Sequence, residues 1–422
     1  MNFCKQLYHI MLTGARAHAR WELEMSTNIL TSRRRRSLLL ILLVPVLLGG
    51  IAIAANDVEL PSVIGGKSAY MPSHYSIFIF LCSIFVGLCA GLITGCIGAG
   101  GGFIIAPALM SFGVKGILAV GTDLFHIFAK AIMGSVLHRK LGNISVTLAI
   151  TFLIGSISGS TVGGVLNRWL YDLNPVLSDM FITTVYVFIL GFLAFYAMKD
   201  YLSTRKGLAG QQGRQSGGED IPPIGARLQA IQLPPMLTFD QGITPGGRKI
   251  SALFLIISGF IVGMAAAVMG VGGGFLTFPI FIYGLGVSSM TTVGTDIFQI
   301  IFTAGYAALS QYALYGFVFY TLALGMLLGS LVGVQMGSLI TRVVPGHLIR
   351  GFYAMSVTAG FVNRFFALPA KLSTMGYISL APSTGALLAT IGNILFFVAI
   401  GIFTLWVLYV FFSHLNELRA ED

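Results

Sequence analysis

The chain has 422 residues, of which 56% are hydrophobic and only 9% charged, against roughly 25% charged in a soluble globular protein, so it lacks the polar surface to face water on all sides. Its formal charge of +10 does not point to nucleic acid, because the basic residues cluster beside apolar runs (Arg33 to Arg36, His138-Arg139-Lys140, Lys199 to Lys206, Arg248-Lys249), the placement that marks cytoplasmic loops. No GxxxxGK[ST], HExxH or paired CxxC pattern occurs, which argues against an ATP-driven machine and against a metalloenzyme, and no cofactor is expected.

Taken in chain order, residues 1–76 form an N-terminal region whose apolar run, 38–55, reads equally as an anchor helix or as a signal peptide. Residues 77–202 carry apolar segments at about 77–95, 98–112, 117–137, 146–168 and 181–199. Three cysteines, Cys82, Cys89 and Cys96, stack on one face of the first segment at heptad spacing. Small residues at a helix contact and a thiolate site for a soft metal are the two readings of that stripe. Residues 203–249, rich in Gly, Pro and Gln, read as a cytoplasmic linker. Five further segments follow within 250–370, near 252–270, 273–286, 290–312, 317–340 and 348–366, and 371–422 holds one long last segment at 384–412.

An internal repeat orders these segments. Gly98-Ala99-Gly100-Gly101-Gly102-Phe103, with Pro107, returns 172 residues later as Gly270-Val271-Gly272-Gly273-Gly274-Phe275, with Pro279. Val120-Gly121-Thr122-Asp123 returns 173 residues later as Val293-Gly294-Thr295-Asp296. Gly87 and Gly91 match Gly259 and Gly263, and Gly155, Gly159 and Gly163 match Gly325, Gly329 and Gly333. Four matched blocks in one order mean duplication. Five crossings per unit place the two copies in opposite orientations, the inverted-repeat plan of many secondary transporters. The fold class is therefore an all-α polytopic membrane protein of two inverted five-segment repeats. The segments 98–112 and 273–286, about fifteen residues each, either barely span or re-enter, and Arg364 and Lys371 fall on the face that should carry few cations.

The glycine runs break apolar segments where a helix is expected, since each glycine costs about 1 kcal/mol against alanine in a helix. Irregular backbone at membrane depth is tolerated where it lines a cavity or is buried in protein. Gly100, Gly101, Gly102 and Gly272, Gly273, Gly274 therefore present N–H groups at helix starts, where the dipole favours an anion. Asp123, His126 and Lys130 lie at i, i+3 and i+7, on one helix face, matched by Asp296, Gln299 and Thr303. Ionisable residues within a membrane mark pathways and relays. Lys130, Thr122 and Thr295 are candidate anion contacts; Asp123, His126, Asp296 and Gln299 are candidate coupling groups. An ion pair that merely ties helices together is the structural alternative, and the glycine ladders are packing faces.

The GxGGGF…P and VGTD blocks, present twice, resemble the TauE/SafE family of sulfite exporters and toluene-sulfonate uptake permeases across roughly residues 77–412. The resemblance implies a secondary transporter of the cell inner membrane, working on sulfite or organosulfonates, with protons and a small anion as partners and either a monomer or a homodimer as the working unit. Many members have serine or alanine after VGT, where this chain has Asp123 and Asp296. That departure points to proton coupling or to another substrate. A metal-cation or amine permease using the aspartates, and a membrane assembly factor that transports nothing, are the alternatives.

Overall fold

A computed structural model of the chain describes residues 77–97, 101–140, 145–208, 223–240, 247–340, 344 and 346–414. The N-terminal anchor or signal at 38–55 and Gly100 of the first glycine run lie outside these residues, as do the side chains of His138, Arg139 and Lys140. The first repeat comprises α1 (Ile77–Ile97), α2 (Gly102–Ser111), α3 (Gly116–Lys140), α4 (Val146–Leu173) and α5 (Pro175–Leu208). After α6 (Pro223–Ala230) and the antiparallel strands β1 (Met236–Phe239) and β2 (Arg248–Ser251), the second repeat follows. It comprises α7 (Ala252–Met269), α8 (Gly274–Pro279), α9 (Ser289–Tyr306), α10 (Tyr320–Ile340) and α11 (Gly346–Thr374), and α12 (Pro382–Ser413) closes the described chain. α8 and α9 widen into π-helical turns at Ile280–Gly284 and Ala307–Tyr312.

Six of these helices are long and apolar enough to cross a membrane. α3 and α11 carry ionisable residues within their length, Asp123, His126 and Lys130 on the first and Arg364 and Lys371 on the second. Their charges point inward among other helices. Large apolar side chains instead remain exposed on the outer helices, such as Phe188 and Phe195 of α5 and Leu405 and Tyr409 of α12, as a lipid-facing surface requires.

The small-residue ladders decide how the repeats meet. A Cβ on Gly155, Gly159 or Gly163 of α4 would lie 1.8, 2.0 or 2.6 Å from the carbonyl oxygens of Ile256, Phe260 and Met264 on α7. Gly259 and Gly263 of α7 lie equally close to Phe152 and Ser156 of α4. The matched ladder repeats the arrangement: Gly87 and Gly91 of α1 pack on Met326 and Ser330 of α10, and Gly329 and Gly333 of α10 pack on Ile84 and Leu88 of α1. Backbones this close gain dispersion and weak polar contacts that larger side chains would forbid. In both pairs residue numbers rise together, so α1 runs parallel to α10 and α4 parallel to α7.

The remaining cross-repeat pairs run the other way. Phe128 of α3 meets Gly305 of α9, whereas Gly121 meets Tyr312. Gly191 of α5 meets Phe361 of α11, whereas Tyr201 meets Gly351. Third helix against third and fifth against fifth are thus antiparallel, which is what inverted copies about a two-fold axis in the membrane plane produce. The turns 112–115, 313–319 and 375–381 then share the face where α1 begins. Residues 223–240 and 247–251 share the opposite, linker face with the turn at 285–288.

α2 has ten residues and rises about 15 Å, half of the hydrocarbon thickness. A Cβ on Gly101 would lie 2.7 Å from the Ala90 carbonyl oxygen, and one on Gly273 lies 2.7 Å from Val262. In each repeat the chain is thus already level with a residue eleven positions back when the short helix starts. The return crossing is completed by glycine-rich backbone plus half a helix.

Three details depart from a simple reading of the sequence. The linker contains structure: α6 and the β1–β2 ribbon dock on the α8–α9 turn, where Gln229 donates to the Leu285 carbonyl at 2.8 Å and Arg248 to that of Gly286 at 2.8 Å. Asp240, buried and at φ 55, accepts from Ser288 N at 3.0 Å and from Ser288 Oγ at 2.9 Å. It thereby places a negative charge at the start of α9. In the first repeat Asp179 does the same for α3, accepting from Gly116 N at 2.7 Å while Lys371 pairs with its other oxygen at 3.2 Å. Arg364 is buried and caps the end of α2, donating to Pro107 O and Ser111 Oγ at 3.1 Å. The two cations that offend the charge rule are therefore internal staples, not loop charges.

Candidate functional site

The two broken hairpins cross at the centre of the molecule. A Cβ on Gly102 would lie 3.1 Å from Val271 Cα, and one on Gly272 would lie 2.7 Å from Ile127 Cγ2. Phe103 and Phe275, which follow the two runs, face each other with ring centroids 6.3 Å apart. Gly101, Gly272 and Gly273 have φ of 60°, 66° and 88°, so a side chain at any of them adds backbone strain to the clash.

Each hairpin start is overlooked by the aspartate of its own repeat. Asp123 Oδ2 lies 3.2 Å from the position of a Cβ on Gly102, and Asp296 Oδ2 lies 2.9 Å from that on Gly274. The positive ends of the short helices therefore already face an acidic group supplied by the protein.

The predicted helix faces come together as expected from their spacing, but the two copies differ. In the second repeat Gln299 Nε2 donates to Asp296 Oδ1 at 2.9 Å and lies 3.5 Å from Thr277 Oγ1, and Thr303 Oγ1 donates to Gln299 Oε1 at 2.8 Å. Ser156 of α4 extends this chain to Thr303 at 2.7 Å, and Thr277 anchors it on the Gly273 carbonyl at 3.1 Å. In the first repeat His126 Nδ1 lies 3.7 Å from Asp123 Oδ1, beyond hydrogen-bond length. Both carboxylate oxygens of Asp123 and His126 Nδ1 are buried without a hydrogen-bond partner among the described residues. His126 Nε2 meets Ser330 Oγ of α10 at 2.9 Å. Lys130, partly exposed, donates to Thr94 Oγ1 of α1 at 3.1 Å, and Thr94 in turn donates to the Ala90 carbonyl at 2.7 Å.

Thr122 and Thr295 occupy matched positions of another kind. Thr122 Oγ1 accepts from Phe319 N at 2.9 Å at the start of α10, and Thr295 Oγ1 accepts from Ser145 N at 3.1 Å at the start of α4. Each threonine caps the fourth helix of the other repeat. Thr94, Ser330, Thr277 and Ser156 are partners that sequence reasoning passed over. No repeat signature marks them, and a polar residue at a helix contact is common; only the crossing of the hairpins brings them to the site. Of the cysteine stripe, Cys89 accepts from Thr404 at 3.1 Å and Cys96 Sγ donates to Gly337 O at 3.4 Å, contacts between helices in both cases.

Comparison with known proteins adds the following. The sequence model of one family, described as sulfite exporter TauE/SafE, matches residues 83–363. The chain is 28% identical over 259 residues to "Probable membrane transporter protein YjnA" of Bacillus subtilis, covering 60% of this chain and 87% of that protein. It is 24% identical over 272 residues to "Probable membrane transporter protein YunE" of the same organism, covering 62% and 89%. A "Probable membrane transporter protein" of Haemophilus influenzae is 23% identical over 308 residues, covering 68% and 98%. No solved structure matches.

Proposed function

The chain belongs to the sulfite exporter TauE/SafE family and is a multi-pass membrane transporter, and from that premise we propose that it exports a small sulfur oxyanion, sulfite or an organosulfonate, across the cell inner membrane at the expense of the proton gradient. The observation that carries the anion part is Lys130: an ammonium beside the glycine crossing, partly exposed while Asp123 and His126 on the same helix face are buried. A tetrahedral or pyramidal oxyanion offers several acceptors to such a donor, and the backbone around Gly101, Gly102 and Gly272 to Gly274 leaves no room for competing side chains. Thr122 and Thr295 shape this crossing from behind, because their oxygens are engaged in caps. Asp123, His126, Asp296 and Gln299 form the acidic side, which supplies the coupling groups, so that anion and proton occupy neighbouring but separate groups.

The unpartnered oxygens of Asp123 favour a second reading, transport of a cation or amine held by the carboxylates. Lys130 opposes it, since a second positive charge on the same helix face repels such a substrate. Sulfite flux into proteoliposomes separates the two. A charged hydrogen bond is worth roughly 1.5–3 kcal/mol, so Lys130→Ala should lower sulfite flux by about 10- to 100-fold in protein that still elutes as a folded species, with Lys130→Arg retaining part of it. Undiminished flux in Lys130→Ala overturns the assignment.

A further inference from the structure

The first repeat contains an unfinished polar site and the second its finished counterpart. Ser330 Oγ donates to the Leu327 carbonyl at 3.3 Å, which leaves its lone pairs to accept, and on that ground we assign His126, 2.9 Å away through Nε2, the tautomer that donates Nε2–H to Ser330. A neutral imidazole carries one proton, so Nδ1 bears a lone pair and points it at Asp123. Two acceptors, the carboxylate and Nδ1, thus face each other across 3.7 Å. Both residues are fully buried. At the matched position of the second repeat Gln299 stands in place of His126, and its amide N–H already bonds Asp296 at 2.9 Å. Glutamine carries permanently the hydrogen that the histidine lacks.

We infer that Asp123 and His126 form a one-proton site: a single proton from solution bridges Asp123 Oδ1 and His126 Nδ1, and the transport cycle takes its coupling proton at this repeat and not at Asp296. Uptake forms one O–H bond on Asp123, which donates to His126 Nδ1 and closes the gap to a hydrogen bond of about 2.8 Å; release breaks that bond and returns the proton to water, with no other group changing its valence. The bound proton gives the first repeat the bonded arrangement that the second always has, so protonation makes the two half-sites alike and deprotonation makes them differ. The other ionisable groups around the pair are Lys130 on α3 itself, Asp296 on α9, Tyr320 on α10, the thiols of α1, and Tyr186 on α5. Tyr186 is near enough to feel the Asp123 charge, and its hydroxyl donates to the Met269 carbonyl. α2 and α7 contain no ionisable side chain. Lys130 is on the α3 face that carries the pair, and its donation to Thr94 turns it toward α1, which keeps anion and proton contacts apart.

The assignment of the coupling step rests on the transport reading above; the proton site does not. The test is an infrared pH titration of the full-length protein in detergent, in water and in deuterium oxide, with no substrate present. A protonated-carboxyl C=O band that titrates and shifts on deuteration is expected. Asp123→Asn should remove it, His126→Gln, whose amide would donate to the carboxylate as Gln299 does to Asp296, should abolish its titration over the same pH range, and Asp296→Asn should leave it in place. Should Asp123→Asn fail to fold, the His126→Gln spectrum decides alone. Survival of the titrating band in Asp123→Asn, its loss in Asp296→Asn, or a site that answers to sodium and not to pH overturns the inference. The expected band together with absent sulfite flux in the unmutated protein would leave the proton site standing and remove the anion-export reading.

Discussion

Thr122 and Thr295 illustrate what a motif looks like when its job is structural. Both follow a glycine and precede the buried aspartate, yet each oxygen serves a helix start in the opposite repeat. Exchanging either for valine keeps the shape but strands a buried N–H, which costs roughly 1–3 kcal/mol. Thr122→Val and Thr295→Val should each lower the unfolding temperature of the detergent-solubilised protein, and the double variant should lose about the sum, since the two caps are separate. The spacing of Asp123, His126 and Lys130 is enough to put them on one helix face. That Asp123 and His126 face each other without a hydrogen bond, while Asp296 and Gln299 are joined, is not readable from the residues, because it depends on rotamers set by Ser330, Thr277 and Ser156 on other helices.

At the level of elements, apolar runs and glycine punctuation locate most of the described transmembrane helices to within a few residues, although α5 and α11 run on to Leu208 and Thr374, well past the segments 181–199 and 348–366, and the ladders are recognisable as packing faces. Their partners are not, because a small-xxx-small stripe specifies closeness without specifying to what. The docked linker was equally hidden: β1 and β2 have four residues each, too short for a period-two pattern to stand out among the prolines. Arg364 misled the charge rule because a cation capping a half-helix inside the bundle does not report on loops. The ladder contacts make a sharp comparison possible. Gly159→Ala drives a methyl into the Phe260 carbonyl at 2.0 Å and should destabilise by at least the roughly 1–3 kcal/mol of ordinary overpacking. Gly401→Ala on α12 meets nothing within 4 Å and should gain up to about 1 kcal/mol of helix propensity. Melting curves of the two single variants read this difference directly.

Over the whole molecule, the parallel pairs α1/α10 and α4/α7 and the antiparallel pairs α3/α9 and α5/α11 fix which turns share a face. The linker face carries Lys199, Arg227, Arg248 and Lys249, whereas Lys371 on the opposite face is engaged with Asp179 and Lys115 with Tyr171. From this distribution of basic charge among the described residues we propose that the linker face is cytoplasmic. A cysteine at Tyr377, which is 65% exposed, should react with a membrane-impermeant maleimide added to intact cells. One at Leu233, 43% exposed on the linker, should react only after the cells are opened. The reverse pattern would invert the orientation and with it the direction assigned to export.

The α1/α10 and α4/α7 contacts also bear on how such a chain is made and how it arose. Every glycine ladder is covered by a helix from the other repeat, so the first half leaves the ribosome with its backbone ridges bare and must wait in the bilayer for its complement. A gene holding one repeat would meet the same need by inserting in both orientations and pairing with its own inverted twin. Joining two such genes demands only a connector that stays on one side of the membrane, and residues 223–251, ending and beginning on the same face, are a connector of that kind.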